Sequence, residues 1–336
     1  MNERPHVMLR MGPALDLYHL SKVLTGFSEL AAAGIVTLEI EPVDGPAPAP
    51  PQLANLSASI DGEPVVFDLY DGSAGFDREL LEGCSFYFKR SFYRPDVEKL
   101  PANLQTKVRP FGLNYGCRSG LAASRLIGAG ILAVIDRYSS TRHYQEFEQS
   151  PEVGVSTSIL FQTRAWAPDS TSDNVEKVNE SRAAIIRTLR KAFPAKFHGG
   201  FISSPHVSRY YPDLVSTLPS GESLYTQMCK THLIGISSRG LHNSVPFKLP
   251  EYIAGSMVIV SEPLRDEFPQ PFRPGDNFLE FQTPEECAHI CETLLTRPGD
   301  VRALKESSWR YYQTEVHPPR HMENILTRMR MESLPK

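Results

Sequence analysis

Short apolar runs alternate with amphipathic segments along most of this sequence, and this alternation constrains the fold more than any other feature. In the second half, the apolar runs HLIGIS (232–237) and MVIVS (257–261) flank KLPEYIAG (248–255). That segment is typical of a short helix with Pro250 in its first turn, where the missing N–H costs least. Continuous apolar strands separated by helices indicate a parallel sheet. The sequence therefore predicts an α/β fold.

The same pattern predicts further elements in both halves. Helices are expected over residues 18–33, 77–81, 173–193, 222–230 and 283–295. Asp173 or Asn174 is expected to cap the third of them and Thr283 the last. Strands are expected over residues 35–40, 84–92, 197–201 and 278–281, and within the segments 65–72, 108–114 and 155–166, each of which begins as a strand and ends in a turn or loop.

The tail has helical periodicity around Trp309–Tyr312 and again around Met322–Met329. Between them, HPPRH (317–321) holds two prolines, which argue against a regular helix across that segment. Near the other end, VDGPAPAPP (43–51) is expected to be an exposed, extended loop.

The length of 336 residues suggests two domains, since a domain averages about 150 residues. The alternation fails between residues 115 and 150, and we interpret that stretch as an interdomain region. The predicted organisation is an N-terminal domain over 1–150, a C-terminal domain over 151–305 and a helical segment over 306–336.

Charge and cysteine content exclude several classes of protein. A net charge of −4 argues against nucleic acid as a partner and allows at most peripheral contact with a membrane. No apolar run reaches the 18 residues of a membrane-spanning helix, and the N-terminus lacks the apolar core of a secretion signal. Five scattered cysteines fit a reduced, cytoplasmic chain better than a disulfide framework.

The strongest candidate site lies in RGLHNSVPFKLPEYIAG (239–255). A helix that begins between Asn243 and Lys248 offers free N–H groups to a phosphate, and Lys248 adds a full positive charge. The carboxylate of Glu251 is placed to accept hydrogen bonds from a ribose diol, as acidic residues do in dinucleotide folds. An ordinary strand–helix unit with a capped helix is the alternative.

This segment resembles the C-terminal donor domain of the GT-B glycosyltransferases of group 1 and their relatives. The resemblance rests on KLPEYIAGSMVIVSEP (248–263) and PFRPGDNFLEFQTPEECAHICETLL (271–295), within about residues 225–325. It implies two Rossmann-like domains that face a cleft, with the tail crossing back over the first domain. It also implies a nucleoside-diphosphate sugar of the UDP or GDP type as co-substrate, no metal and no further cofactor.

Matched residue by residue, Glu251 falls on the family glutamate that binds the donor ribose, and Lys248 on a basic residue beside it. The position that often holds a second glutamate near the sugar is Asn243 here, preceded by His242. Either side chain is able to hydrogen-bond sugar hydroxyls, so both count as candidate catalytic residues. Ser244, in the same loop, is a candidate donor-binding residue.

Two further loops follow strands of the second half. The resemblance implies that Gln162–Thr163–Arg164 carries a basic residue for the diphosphate, and a guanidinium suits phosphate oxygens. A surface arginine is the alternative for Arg164. His198–Gly199–Gly200 permits either a close approach of the backbone to a ligand or a tight turn.

The first half offers acceptor-side candidates. Asp68 and Asp71 close an apolar strand, which leaves open an acceptor contact, a Mg²⁺ site or a structural turn. Lys89 and Arg90 lie among aromatic residues in FKRSFYR (88–94). His19, near the start of the first helix, is a candidate base, with a structural role as the alternative.

The predicted function is a glycosyltransferase that moves a sugar from a nucleotide-sugar donor to a hydroxyl of a carbohydrate or another acceptor. Two alternatives stay open. One is a nucleotide-sugar epimerase or hydrolase with the same architecture, because a fold does not fix its chemistry. The other is a non-catalytic protein that binds nucleotides or glycans, for which the loss of the glutamate at Asn243 is the main argument.

Overall fold

A computed structural model describes residues 4–43, 52–132, 135–168 and 175–333. Apart from Val43, the expected loop at 43–51 lies outside the described residues, as do the expected caps Asp173 and Asn174. The chain forms two compact units. The first comprises residues up to Gln145, Asp266–Pro271 and residues from Gln313 onward, and the second comprises Glu146–Arg265 and Phe272–Tyr312.

Each unit is built on one β-sheet. The strands of the first sheet are β1 (His6–Met11), β2 (Thr37–Pro42), β3 (Asn55–Ile60), β4 (Glu63–Asp68), β5 (Phe86–Lys89) and β6 (Val108–Pro110). The strands of the second sheet are β7 (Ser156–Thr163), β8 (Phe197–Phe201), β9 (His232–Ser237), β10 (Val258–Ser261) and β11 (Leu279–Glu280).

Helices cover the faces of both sheets. The helices that precede β7 are α1 (Leu17–Ala32), α2 (Arg78–Gly83), α3 (Arg94–Val97), α4 (Ala102–Gln105), α5 (Gly120–Gly128), α6 (Ile135–Ser140) and α7 (Tyr144–Phe147). The later ones are α8 (Val175–Ala192), α9 (Pro205–Tyr210), α10 (Glu222–Thr231), α11 (Lys248–Ala254), α12 (Pro284–Thr296), α13 (Pro298–Tyr311) and α14 (Pro318–Ser333).

The first sheet has the order β2-β1-β3-β4-β5-β6 and is mixed. β3 runs antiparallel to both of its neighbours, whereas the pairs β1–β2, β4–β5 and β5–β6 are parallel. The turn that reverses the chain between β3 and β4 consists of Asp61 and Gly62, both with positive φ (52° and 85°). Two residues with positive φ are what a tight hairpin requires.

Residues 115–150 are folded, so their interpretation as an interdomain region is wrong for most of this stretch. α5 and α6 pack against α1, and Ala122, Leu126 and Tyr138 are fully buried in the core of the first unit. The Tyr138 hydroxyl lies 2.8 Å from Thr25 Oγ1 on α1. Glycines at both ends of α5 shorten its apolar pattern, which hid the helix in the sequence.

The expectation that HPPRH (317–321) is not a regular helix is also wrong from residue 318 onward. α14 begins at Pro318, so both prolines lie in its first turn, where backbone N–H groups have no helical acceptor. α14 packs against α1 and adds Met322 and Ile325 to the core of the first unit.

The second sheet is parallel throughout and has the order β11-β10-β9-β7-β8. The chain passes from β7 outward to β8 and then returns to the other side of β7 with β9. The strand order therefore reverses between β7 and β9, where an open α/β sheet forms a crevice at the carboxyl ends of its strands. α12 begins as expected at Thr283, which forms a reciprocal capping box with Glu286.

Both units thus confirm the α/β class, with sheets that are mainly or wholly parallel. Each unit also has a core of its own. Phe27 and Phe67 lie in the core of the first unit, and Ile186 and Ile234 lie in that of the second.

Candidate functional site

Gln162 and Ser237 lie at the carboxyl ends of β7 and β9, on either side of the point where the strand order reverses. Both side chains are buried. The amide nitrogen of Gln162 donates to the carbonyl of Pro219 at 3.1 Å. Its amide oxygen and the Ser237 hydroxyl have no hydrogen-bond partner within the described part of the chain. Buried polar atoms without a partner are rare in folded proteins, so a polar ligand is a natural complement to this edge.

Lys248 reaches the same edge from the start of α11. Its ammonium donates to the carbonyl of Gln162 at 3.1 Å and lies 5.0 Å from the centroid of the Phe161 ring. Burial, and then the charge of Arg182, lowers the pKa of Lys248 to about 7, although Glu251 acts in the opposite direction. An anion at this edge would favour the charged ammonium.

Glu251 lies one turn further along α11 and is 7% exposed. Burial, and then the charge of Glu222, raises the pKa of Glu251 to about 8, and Lys248 opposes that shift. Within the described residues, Glu251 and Lys248 form no ion pair with each other. The edge of the sheet thus carries one basic and one acidic group that do not satisfy each other.

Arg182, on the buried face of α8, holds the loops that follow β7 and β9. Its guanidinium donates to Ser238 Oγ at 3.1 Å and to the backbone carbonyls of Arg164 at 2.7 Å and Arg239 at 2.9 Å. Burial lowers the pKa of Arg182 to about 10, against the charge of Glu262. Arg182 was not among the residues predicted from the sequence, although an arginine on the apolar face of an amphipathic helix is a visible signal.

The predicted sugar-side residues lie in the loop before α11. His242 and Asn243 both have positive φ, 57° and 58°, and belong to a 3₁₀ turn at Leu241–Asn243. Arg265 donates to the carbonyl of His242 at 2.6 Å, and the Ser244 hydroxyl donates to that of Leu241 at 2.8 Å. Two successive non-glycine residues in this conformation store strain, which is typical of functional loops.

The remaining residues predicted for a site in the second unit lie in or just after β7 and β8. Arg164 follows β7, and its side chain is exposed. Gly199 and Gly200 have φ of 139° and 141° in β8. A Cβ at Gly199 would collide with the carbonyl oxygen of Phe161, and one at Gly200 would lie 2.5 Å from that of Leu214. The close approach at these glycines is therefore to the chain's own backbone.

In the first unit, the structure brings together three predicted acceptor-side residues. His19 Nδ1 lies 2.8 Å from Asp16 Oδ2, and His19 Nε2 lies 3.8 Å from Asp71 Oδ1. Asp71 also forms an ion pair with Arg90. Asp16, the N-cap of α1, was not identified from the sequence, although an Asp directly before a helical run is a common cap signal.

The charges around His19 set its protonation. Burial acts to lower the pKa of His19, but the hydrogen bond to Asp16 and the nearby carboxylate of Asp71 outweigh it and raise the pKa above the ordinary value. Burial acts to raise the pKa of Asp71, and Arg90 and His19 together bring it well below the usual range. A histidine oriented by a carboxylate has the arrangement of a general base.

Asp68 and Lys89 form a fully buried ion pair, with 2.7 Å between Asp68 Oδ2 and Lys89 Nζ. The hydroxyl of Tyr87 donates to the same carboxylate oxygen at 2.7 Å, and Lys89 also donates to the carbonyl of Gly75 at 2.8 Å. These groups satisfy one another inside the fold. Of the alternatives considered for Asp68, this geometry favours a structural role over an acceptor contact or a Mg²⁺ site.

Ranges 4–43, 52–132, 135–168 and 175–333 contain no cluster of three or more His, Cys, Asp or Glu side chains able to hold a metal ion. In the same ranges, no helix combines the length and the apolar character that crossing a membrane requires.

Similar folds occur among solved structures, whereas no family model and no curated protein sequence matches this chain. The C-terminal domain of a glycosyl transferase group 1 family protein from Francisella tularensis is 12% identical, with 52% of this chain and 92% of that domain covered and a TM-score of 0.34. UDP-GlcNAc 2-epimerase from Neisseria meningitidis is 14% identical, with 75% of this chain and 64% of the epimerase covered and a TM-score of 0.41. An α1,3-fucosyltransferase is 10% identical, with 94% of this chain and 91% of the fucosyltransferase covered and a TM-score of 0.40.

Proposed function

We propose that this protein is a glycosyltransferase that moves a sugar from a nucleoside-diphosphate sugar to an acceptor hydroxyl. The observation that carries the proposal is the edge of the sheet at the ends of β7 and β9, where Lys248 and Glu251 are buried one turn apart on one helix without pairing. A ligand that satisfies both must offer anionic oxygens to the lysine and hydroxyl donors to the carboxylate. A diphosphate joined to a ribose provides both.

The proposed roles in the second unit follow from charge. Lys248 and Arg164 bind the diphosphate and stabilise the negative charge that grows on it as the glycosidic bond breaks. Glu251 accepts hydrogen bonds from the ribose and so orients the donor. His242 and Asn243 contact the sugar, and Ser244 fixes the loop that presents them.

The proposed acceptor-side residues are His19, Asp71 and Arg90 of the first unit. His19 takes the proton of the acceptor hydroxyl, and Asp71 stabilises the imidazolium that forms. Asp68 and Lys89 act as the buried support of this group. The acceptor is a glycan, a lipid-linked sugar or a small molecule.

The reaction is further proposed to need no metal ion, because Lys248 and Arg164 supply positive charge at the diphosphate. Turnover should then be the same in buffer with excess EDTA as in buffer with added Mg²⁺ or Mn²⁺. Loss of turnover in EDTA, with recovery on metal addition, would contradict metal independence without contradicting glycosyl transfer.

The test of the function is product analysis with a panel of UDP- and GDP-sugars, each with and without a mixture of hydroxyl acceptors. Transfer requires both substrates, whereas hydrolysis or epimerisation changes the donor when no acceptor is present. Thermal unfolding against the same nucleotides separates a binding protein from an inactive preparation, because a ligand of the native state raises the melting temperature.

Matched variants locate the activity. Lys248→Met and Glu251→Gln should each lower kcat/KM by about tenfold or more, since the first removes a charge-assisted hydrogen bond to the diphosphate and the second a carboxyl oxygen that accepts from the ribose. Lys191→Met and Glu292→Gln change exposed residues of the same unit and should leave kcat/KM unaltered. Near wild-type kinetics in both crevice variants would refute the proposed donor site.

A further inference from the structure

A second cavity lies in the second unit, at the amino ends of β7 and β9. Its volume is about 630 Å³, within the range of small-molecule sites. The lining is mainly apolar and includes Val153, Val155, Leu233, Leu294, Leu295 and Val301. In a parallel sheet the amino ends lie at the edge opposite to the carboxyl ends, so this cavity is separate from the crevice at Gln162 and Ser237.

Lys305, on α13, lines the cavity and is only 5% exposed. Its ammonium donates to the carbonyl of Val153 at 3.3 Å, which is a long hydrogen bond. An ammonium has three protons to donate, and none of the described carboxylates forms an ion pair with it. Burial lowers the pKa of Lys305, as expected for a charge removed from water without an opposite charge beside it.

The other charged side chains at this cavity lie largely in solvent. Arg302 pairs with Glu306 across one turn of α13 at 2.7 Å, with 76% and 42% of the two side chains exposed. Glu152 is exposed on the preceding loop and leaves the rim with one carboxylate in excess. Water and salt screen these rim charges, whereas the interior combines apolar walls with one buried ammonium.

We propose that this cavity binds a small amphipathic anion, with an apolar chain against the walls and a single carboxylate or phosphate group on Lys305. The apolar chain gains free energy by leaving water, and the gain grows with each methylene group that is buried. The acidic group provides the opposite charge and the acceptors that the ammonium lacks. This second site does not depend on the proposed transferase activity.

The direct test is calorimetric titration of the full chain with decanoate below its micelle concentration, with decyl phosphate as a second anion. Decanol and decyltrimethylammonium have the same chain with a neutral or a positive head group. We expect saturable binding of at least one anion, weaker binding of decanol and none of the cation. Equal binding of all four, or of none, would overturn the proposal.

Two variants locate the site. Lys305→Met keeps the length of the side chain but removes its charge, and should weaken binding of the anion about tenfold or more while binding of decanol is unaltered. Lys191→Met, an exposed lysine of the same unit, is the matched control. Equal affinity for the anion in wild type and Lys305→Met would overturn the role of Lys305.

Gly154→Phe tests the cavity without touching a charge. A Cβ at Gly154, which lines the cavity, meets no atom within 4 Å, so the substitution fits the fold. The phenyl group should block the chain and abolish binding of both the anion and decanol. Undiminished binding in this variant would place the ligand elsewhere. Circular dichroism and the melting temperature of both variants verify that they are folded.

Discussion

At the residue scale, three ionisable side chains stand out by their burial. Glu251, Arg182 and Lys22 are each held in surroundings that disfavour their charged forms. Lys22 is fully buried on α1, and its ammonium donates to the carbonyl of Leu113 at 2.6 Å. Such groups reduce stability unless a partner or a ligand compensates them, so each of them is informative about what the site binds.

The pH dependence of the proposed reaction tests the role of His19. A base acts only when it is deprotonated, so kcat/KM should rise with pH through the pKa of His19. Asp71→Asn removes a charge that raises this pKa, so the acidic limb of the profile should move to lower pH. His19→Ala should lower kcat by a factor of about 10² to 10⁴.

Asp276→Asn, an exposed residue, is the control for Asp71→Asn and should keep the wild-type profile. An unchanged kcat in His19→Ala would show that His19 is not the general base. An acidic limb that stays in place in Asp71→Asn would show that Asp71 does not act through His19.

Glu251 should make the stability of the protein depend on pH. Its pKa is about 8 in the folded chain against 4.5 for the unfolded side chain. Between these values the folded state holds a proton that the unfolded state has lost, so the free energy of unfolding falls as pH rises. Glu251→Gln should weaken this dependence and make the protein more stable than wild type at about pH 8, at the expense of donor binding.

Urea denaturation at about pH 5 and about pH 8 measures this effect, with Glu292→Gln as the exposed control. If wild type and Glu251→Gln lose the same free energy of unfolding between the two pH values, the carboxyl group of Glu251 is not perturbed as described.

Sequence reasoning at this scale identified residue types but not their partners. His19, Asp71 and Arg90 were selected separately and meet in one group. Asp68 and Lys89 were selected for the same chemistry and form a buried ion pair. Whether such residues join the group at His19 or form a buried ion pair depends on which face of β4 or β5 each side chain occupies. It also depends on which segment of the chain covers that face, and neither is encoded in local spacing.

Close helix packing is the decisive feature at the element scale. Gly26 lies in α1 where α14 crosses it, and a Cβ there would be 2.5 Å from both the carbonyl oxygen of Pro318 and Cγ of Met322. The absence of a side chain lets the two backbones approach each other. Glycine is otherwise unfavourable inside a helix, so its presence here is explained by packing.

Two glycine-to-alanine substitutions should have opposite effects. Gly26→Ala forces α1 and α14 apart and should lower the free energy of unfolding by about 1–3 kcal/mol. Gly120→Ala, at the start of α5, meets no atom within 4 Å and should raise it by about 0.5–1 kcal/mol through helix propensity. Chemical denaturation of both variants checks the pair, and a neutral Gly26→Ala would contradict the close contact.

Helices and strands with a clear apolar periodicity were predicted well, whereas elements marked mainly by turn residues or by prolines at a helix start were missed. The expected helix over 222–230 is α10 (Glu222–Thr231), and HLIGIS is β9. β3 was missed because Ser57 and Ser59 dilute its apolar pattern, although Asp61–Gly62 after it is a strong hairpin signal. The start of α14 was missed because its prolines were read as breakers and not as first-turn residues.

At the scale of the whole molecule, the two units differ in topology. The second sheet is parallel with a reversal of strand order between β7 and β9, whereas β3 interrupts the parallel order of the first sheet. The reversal is what gives the second unit a crevice at strand ends. The donor should accordingly bind to the second unit.

Hydrogen exchange with and without UDP or GDP tests that assignment. Amides at the ends of β7 and β9 and in the loop 239–247 should exchange more slowly with nucleotide, while those of β4 and β5 should be unaffected. Lys248→Met should lose this protection at the same nucleotide concentration. Protection restricted to the first unit would contradict the donor assignment.

The division of the chain between the units has a consequence for synthesis. The first unit draws its core both from residues before Gln145 and from Met322, Ile325, Leu326 and Met329 of α14, with the second unit encoded between them. On the ribosome, α1 emerges long before the helix that covers it. The nascent first unit must therefore keep an apolar face exposed while the second unit is translated, and its core is complete only after α14 has emerged.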